Sequence, residues 1–438
     1  MTQQPIPPTA ADSAAGIRQS MVDLVVRWFE ERPAARFVAG RTPIPLNVPS
    51  FGWEEVTEAL DSLLSSRTTM GPKVRRFEER FAEYIGVRHA VMVNSGSSAN
   101  LLALSVLANP ALQGHLQPGD EVITPALTWA TTVFPIINVG ALPVLVDVDP
   151  HTFNIDPREI ERAITPRTRA VMPVHLLGNP CDMDRITAIA RRHNLLVIED
   201  CCEAHGAEWR GSRVGAFGDI GTFSFFFTHH ISTMEGGMLL TNSDEYADLA
   251  RTLRVFGWVR DRSDAETVAG RYPEIDPRFL FTNVGYNLRP TELQGAFGIH
   301  QIDKLDAFIE ARRENARYWH EALRPYSAYL LAHKEAPDTR HVWFGFPLTV
   351  RPDAPFRPSE LIAHLEARGV ETRPIMAGNI SEQPAMRLLP HRTSGHLPNA
   401  RYIHRNAFFF GNHHGIGPAQ REAIAGYITE FIEERVAP

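Results

Sequence analysis

Lysine is nearly missing from this chain: of 44 lysine and arginine residues in 438 positions, only Lys73, Lys304 and Lys334 are lysines, and none falls between 74 and 303. A chemistry that needs a lysine amine within that span is therefore excluded. Cysteine is almost as scarce, with Cys181, Cys201 and Cys202 alone. Three thiols with no paired spacing make neither a zinc site nor a disulfide framework, and they fall short of the four thiolates of an iron–sulfur cluster. No metal site is expected. There is no basic run, and the net charge is −7, so the clustered cations that a nucleic-acid surface needs are missing. Long apolar runs are absent too: no window reaches 18 uninterrupted apolar residues, and the first 20 residues lack the basic and apolar regions of a signal peptide. These absences point to a cytoplasmic enzyme acting on small molecules, with no nucleic acid and no membrane as partner.

What is present is ordinary globular material, 44% hydrophobic and 22% charged, in a chain long enough for two or three substructures. Residues 1–49 read as an N-terminal arm, with one amphipathic stretch (IRQSMVDLVVRWFEERP) followed by extended chain (FVAGRTPIPLNVPS). From 50 to 305, short runs such as AVMVNSG, EVITPAL, LPVLVDVD, AVMPVHL, LLVIEDC, TFSFFF and GMLLTN alternate with helical patterns. Buried Val- and Ile-rich strands separated by helices give an α/β domain with a mostly parallel sheet. From 306 to 438 a long polar helix, the strand WFGFPLTV and two further helices suit a smaller α+β domain. Residues 261–278 read as a surface loop.

Three features carry chemistry. NSGSSANLLAL opens a helix directly after a strand, so Ser95, Gly96, Ser97 and Ser98 place amides where a helix N-terminus attracts an anion; the same serines serve equally as an ordinary N-cap. LLVIEDCC puts Asp200 at the C-terminal end of a buried strand, where open α/β sheets bind ligands, although a carboxylate there also caps helices. Trp129 in PALTWATT supplies an aromatic face at another strand end. Together an anion cradle, an aromatic ring and an acid describe a pyridoxal phosphate pocket, in which the acid keeps the pyridine nitrogen protonated.

The order SGSSAN, TWATT, IEDCCEAHG, FSFFFTHH, EGGMLLTN and GYNLRP resembles the DegT/DnrJ/EryC1/StrS family, over roughly residues 50–435. The resemblance implies the PLP-dependent transferase fold of the aspartate aminotransferase type (fold type I). Aminotransferases of the family carry a lysine in the FSFxxxK segment that links to the cofactor; here that position is His229. An imidazole cannot hold the cofactor covalently but can move a proton. The resemblance therefore implies non-covalently bound pyridoxal or pyridoxamine 5′-phosphate and a nucleotide-linked 4-keto-6-deoxyhexose 3-dehydratase. L-glutamate would be the amino donor. Among such enzymes the similarity is greater to the cluster-free kind acting on GDP-4-keto-6-deoxy-D-mannose, because the iron–sulfur kind carries a cysteine-rich insertion after the segment matching LRVFGW; the arm, in FVAGRTPIP, is more like the latter. The rival readings are an aminotransferase, a cluster- and reductase-assisted dehydratase, and a non-enzymatic regulator with a degenerate cofactor fold.

Carried over by resemblance, His229 is the catalytic base, Trp129 stacks on the pyridine ring and Asp200 pairs with its nitrogen. Gly96, Ser97 and Ser224 hold the phosphate, Glu203 neighbours the ring, and Asn287 reaches the phosphate of a second subunit, which implies a homodimer with shared sites. Arg289, Arg373 and His413 are the substrate candidates, the guanidiniums being suited to a diphosphate or a carboxylate; surface ion pairing is the alternative for both arginines.

Overall fold

The computed structural model describes residues 10–32 and 36–436. The amphipathic stretch of the arm forms α1 (Ala10–Glu30), which leans on α2 (Trp53–Leu64). Between them residues 36–52 run mostly without regular structure, and Ile44 bridges to Val370. Then α3 (Pro72–Ile85) begins with proline at its first turn and stops at Gly86, whose φ of 90° is the left-handed C-terminal cap that glycine adopts without penalty.

The large sheet takes up β1 (His89–Val93), β2 (Glu121–Pro125), β3 (Leu142–Val146), β4 (Thr168–Val171), β5 (Leu196–Asp200), β6 (Ile220–Ser224) and β7 (Gly237–Thr241). Their order is β1-β7-β6-β5-β4-β2-β3, and the short strand Arg392–Thr393 completes the eight beside β3. Only β7 runs antiparallel to its neighbours. Because the sheet is covered on both faces, its strands are mainly apolar and buried along their length rather than on alternate residues. The helices after β1 and β2 are α4 (Gly96–Leu107) and α5 (Ala130–Asn138).

A single 32-residue helix, α6 (Glu292–Leu323), then crosses the molecule, packing on α2 and α3 with its first half. It begins some 14 residues before the helical stretch that the sequence suggested and runs through position 305, so the expected division falls inside one continuous helix. Beyond it lies a four-stranded antiparallel sheet, β8 (Leu330–Ala332), β9 (Gly345–Val350), β10 (Thr372–Pro374) and β11 (Ala407–Gly411), in the order β8-β9-β11-β10. The helices Pro358–Ala367 and Pro418–Val436 cover it around Trp319, Phe408, Phe410 and Phe431. Residues 261–278, expected as a loop, are mainly exposed and contain the short helix Ala265–Ala269. Among the described residues no helix is long and apolar enough to cross a membrane.

Candidate active site

The C-terminal ends of β1, β2, β5 and β6 meet along one sheet edge, the place where open α/β sheets leave a crevice. There a cavity of about 580 Å³ opens, lined by Gly96, Ser97, Trp129, Asp200, Glu203, Ser224, His229 and Arg373 among others. Eight of the eleven residues singled out from the sequence thus share one cavity. Asn287, Arg289 and His413 do not line it.

At the end of β1, Ser95 caps α4: its hydroxyl accepts from the Ser98 amide at 3.1 Å. The remaining first-turn amides of Gly96 and Ser97 stand at the cavity wall, the partial positive end of the helix. A Cβ on Gly96 would sit 2.4 Å from Cβ of Ser224, and one on Gly237 would sit 2.2 Å from the Ser95 carbonyl oxygen. These two glycines let the helix start close down on β6 and β7, and an anion fits the amide-lined pocket that results.

Asp200 is buried at the tip of β5 and tightly oriented. Its Oδ2 accepts from Asn100 Nδ2 at 2.9 Å and from Thr132 Oγ1 at 2.8 Å, and its Oδ1 accepts from the Cys202 amide at 3.1 Å. Asn100 is itself fixed by Thr222, whose hydroxyl donates at 2.6 Å, and Thr132 by Thr128 at 2.8 Å. Neither Asn100 nor Thr132 was singled out from sequence, although both lie inside the quoted SGSSAN and TWATT segments. Trp129 precedes α5 and stays 54% exposed, a ring face open to the cavity.

The histidine does not end a strand. β6 stops at Ser224, and residues 225–230 turn away, with the His229 amide donating to the Phe226 carbonyl at 3.0 Å. The His229 ring packs among Phe344, His205 and Phe226, with centroids 5.4, 5.8 and 6.5 Å away, and its Nδ1 is buried without a partner. Its neighbour His230 points into the core and donates from Nε2 to the Val342 carbonyl at 2.9 Å. Behind them is Arg312, fully buried on α6, which donates to the carbonyls of Phe344 (2.9 Å) and Asn412 and pairs with no carboxylate among the described residues. Withdrawal from water, reinforced by that guanidinium, pushes His229 down to about 3. His229 is therefore a neutral imidazole across the ordinary pH range.

Glu203 shows the opposite displacement. Burial, with the nearby Asp200 carboxylate adding to it, pushes its carboxyl up to about 8, even though its Oε2 accepts from the Leu177 amide at 2.7 Å. One cavity thus holds a neutral base and a neutral acid at pH 7, an arrangement common where proton transfer occurs.

No lysine lines this cavity. Lys73 is tied to Glu58 and Asp61 at 2.8 and 2.7 Å, Lys304 to Glu54 and Glu55 at 3.0 and 2.8 Å, and Lys334 is exposed beyond β8. An aromatic face, a carboxylate at a strand tip and a helix-start cradle fit a phosphorylated pyridine ring, and no amine is in place to bind it covalently.

The model of the DegT/DnrJ/EryC1/StrS aminotransferase family matches residues 50–429. The chain belongs to that family. A dTDP-4-dehydro-2,6-dideoxy-D-glucose 3-dehydratase of Saccharopolyspora spinosa is 38% identical, the match covering 97% of this chain and 94% of that one. A GDP-4-keto-6-deoxy-D-mannose 3-dehydratase of Yersinia pseudotuberculosis is 39% identical over 84% of this chain and 95% of its own. Among solved structures, a GDP-4-keto-6-deoxymannose 3-dehydratase holding a trapped adduct of pyridoxal phosphate and glutamate superposes with a TM-score of 0.83 at 34% identity, over 88% of this chain and 99% of that one. The fold is accordingly the PLP-dependent fold type I, as the family resemblance implied.

The three outlying candidates are held elsewhere. His413 donates from Nε2 to the Pro45 carbonyl at 3.1 Å, so it fastens the arm rather than facing the cavity. That contact matters locally, because the adjoining Leu46 and Asn47 do line the cavity and Asn47 Nδ2 donates to the Phe227 carbonyl at 2.7 Å. Asn47 carried no signal beyond its place in the extended arm. Asn287 is exposed and accepts from Arg289 Nε at 3.0 Å, and Arg289 also lies over the Phe256 ring at 5.1 Å. Around them Val284 is 96% exposed and Phe281 51%, an apolar patch outside the cavity. Arg373 reaches the cavity from β10 while its Nη2 donates to Glu371 at 2.6 Å.

Proposed function

We propose that the protein is a pyridoxal/pyridoxamine phosphate-dependent 3-dehydratase that removes the C3 hydroxyl of a nucleotide-linked 4-keto-6-deoxyhexose, with L-glutamate as amino donor and without an iron–sulfur cluster. The observation that carries the reading is His229: a neutral imidazole, not an amine, faces the cofactor-shaped cavity. When bound, the cofactor supplies an amine for the keto carbon and an electron sink conjugated with it. Asp200 holds the ring nitrogen, Trp129 covers one ring face, and Gly96, Ser97 and Ser224 take the phosphate. His229 moves the proton at the C4′ carbon in both half-reactions, and being neutral it is ready to accept one. Glu203, with its proton retained, neighbours the ring as a hydrogen-bond donor.

The electron balance explains why no reductase is needed. Converting glutamate to 2-oxoglutarate and ammonia releases two electrons and two protons, and replacing the C3–OH bond by C3–H, with loss of water, consumes them. The trapped glutamate adduct in the similar dehydratase supports glutamate as donor. The three cysteines lie between 181 and 202, and none falls in the segment after LRVFGW where an iron–sulfur relative would carry them. An aminotransferase outcome needs a lysine that the cavity does not have.

Arg373, at the cavity, grips the substrate diphosphate or the glutamate carboxylate. In a homodimer, the exposed patch around Val284 brings Asn287 of the partner subunit, and with it Arg289, to the phosphate end of the cavity. The substrate carries GDP, CDP or dTDP; GDP and dTDP are the nucleotides named for the similar dehydratases. The test is to supply each 4-keto sugar with glutamate and cofactor but no reductase and to follow 2-oxoglutarate and ammonia. Equal release of both supports dehydration; 2-oxoglutarate without ammonia means that the amine stays on the sugar and the reading fails.

A further inference from the structure

A second cavity, of about 680 Å³, lies on the other side of the segment that backs His229. It is bounded by the last turns of α6, β8 and β9. Consecutive residues divide between the two cavities: Phe344 lines the catalytic one, whereas Trp343 and Phe346 line the second. The helix does the same, since Arg313 lines the second cavity and its neighbour Arg312 supports the carbonyls at 343 and 344 behind His229.

The chemistry of this cavity is uneven. Its wall is aromatic, with Trp343 and Phe346 buried and the His320 ring edge-on to both at 5.2 Å. Its rim is cationic: Arg317, Arg324, Lys334 and Arg351 all line it, and none forms an ion pair among the described residues. Of the two acids present, Glu335 is engaged by Arg313 at 2.7 Å, leaving only the exposed Glu321. In a chain of net charge −7, four cations unmatched around one apolar hollow mark an anion-binding place. His333 supplies a specific polar contact: it is only 2% exposed, its Nε2 donates to the Thr152 carbonyl at 2.7 Å, and its Nδ1 is left as a buried acceptor with no partner. A free phosphate would leave the aromatic wall and His333 unused, and an apolar ligand would leave the cations unused.

We propose that this cavity binds a nucleoside diphosphate, the base against Trp343 and Phe346 with a donor to His333 Nδ1, and the diphosphate against Arg317, Arg324 and Lys334. It would do so independently of the catalytic cavity. The experiment is calorimetric titration of the cofactor-loaded protein with GDP, counting sites per chain, in the wild type and in the R317E/K334E double variant, with R324E as an independent variant. The expected result is one fewer GDP site per chain in the double variant, a tenfold or greater weakening of that site in R324E, and unchanged sugar turnover without added nucleotide. The same number of sites in wild type and double variant overturns the proposal. So does displacement of the extra GDP by an equal concentration of inorganic phosphate, which would reveal a patch for free anions only.

Discussion

Replacing Glu203 by glutamine isolates one buried ionisation. The folded protein keeps this carboxyl protonated to about pH 8, whereas the unfolded chain gives up the proton near the ordinary glutamate value of 4.5. Between those values the native state binds more protons than the unfolded state, so the group's contribution to stability is complete below pH 4.5 and is lost progressively as pH rises through 8. That rise from 4.5 to about 8, at about 1.4 kcal/mol for each tenfold change in proton affinity, sets a ceiling of roughly 5 kcal/mol. Water entering the open cavity reduces this, and about 2–3 kcal/mol is the expected size. Glutamine keeps an oxygen for the Leu177 amide, so E203Q removes the ionisation without removing that hydrogen bond. Urea unfolding of the cofactor-free protein at about pH 5 and about pH 9 gives the comparison: E203Q should gain on the wild type by about 2–3 kcal/mol over that interval. Parallel curves for the two proteins would mean that Glu203 ionises freely in the cavity and that the neutral-acid description is wrong.

The pH profile of turnover should lack a limb near the ordinary histidine value of about 6.5, because His229 loses its proton only near 3; an inflection at 6 to 7 that disappears in His229→Asn would contradict this. Gly96→Ala pushes a methyl group into Ser224 and should cost about 1–3 kcal/mol, read as roughly 5- to 150-fold weaker cofactor binding by absorbance titration. Val284→Asp places a charge in the exposed apolar patch; sedimentation should show monomer, and turnover should fall by about a hundredfold or more if Asn287 completes a neighbouring site. A dimeric, fully active V284D would remove that patch from the interface.

How far the sequence carried can be judged from individual residues. The parallel strands were legible because burial on both faces turns each into an unbroken apolar run, and Asp200 was legible because it ends such a run. Strand order was not, nor was the addition of Arg392–Thr393 beside Val144 and Leu145, roughly 250 residues earlier, since pairing across such distances leaves no local period. The run TFSFFF suggested a strand extending to Phe227, yet the strand stops at Ser224 and the chain turns, the Phe225 carbonyl accepting from the Thr233 amide at 2.9 Å and the Phe226 carbonyl from the His229 amide at 3.0 Å. Arg312 looked like one charge among many on a polar helix; only folding brings it behind His229, where its charge adds to the burial that keeps the base neutral. His413 was a substrate candidate by resemblance, but its ring is turned toward Pro45, a contact 368 residues apart in sequence.

The most direct test of the central claim compares wild type and His229→Lys in one assay with pyridoxal phosphate, L-glutamate and GDP-4-keto-6-deoxy-D-mannose, reading the mass of the sugar product. The account predicts a product lacking one oxygen from the wild type and an amino sugar from the lysine variant. A stable amino sugar from the wild type itself would contradict it.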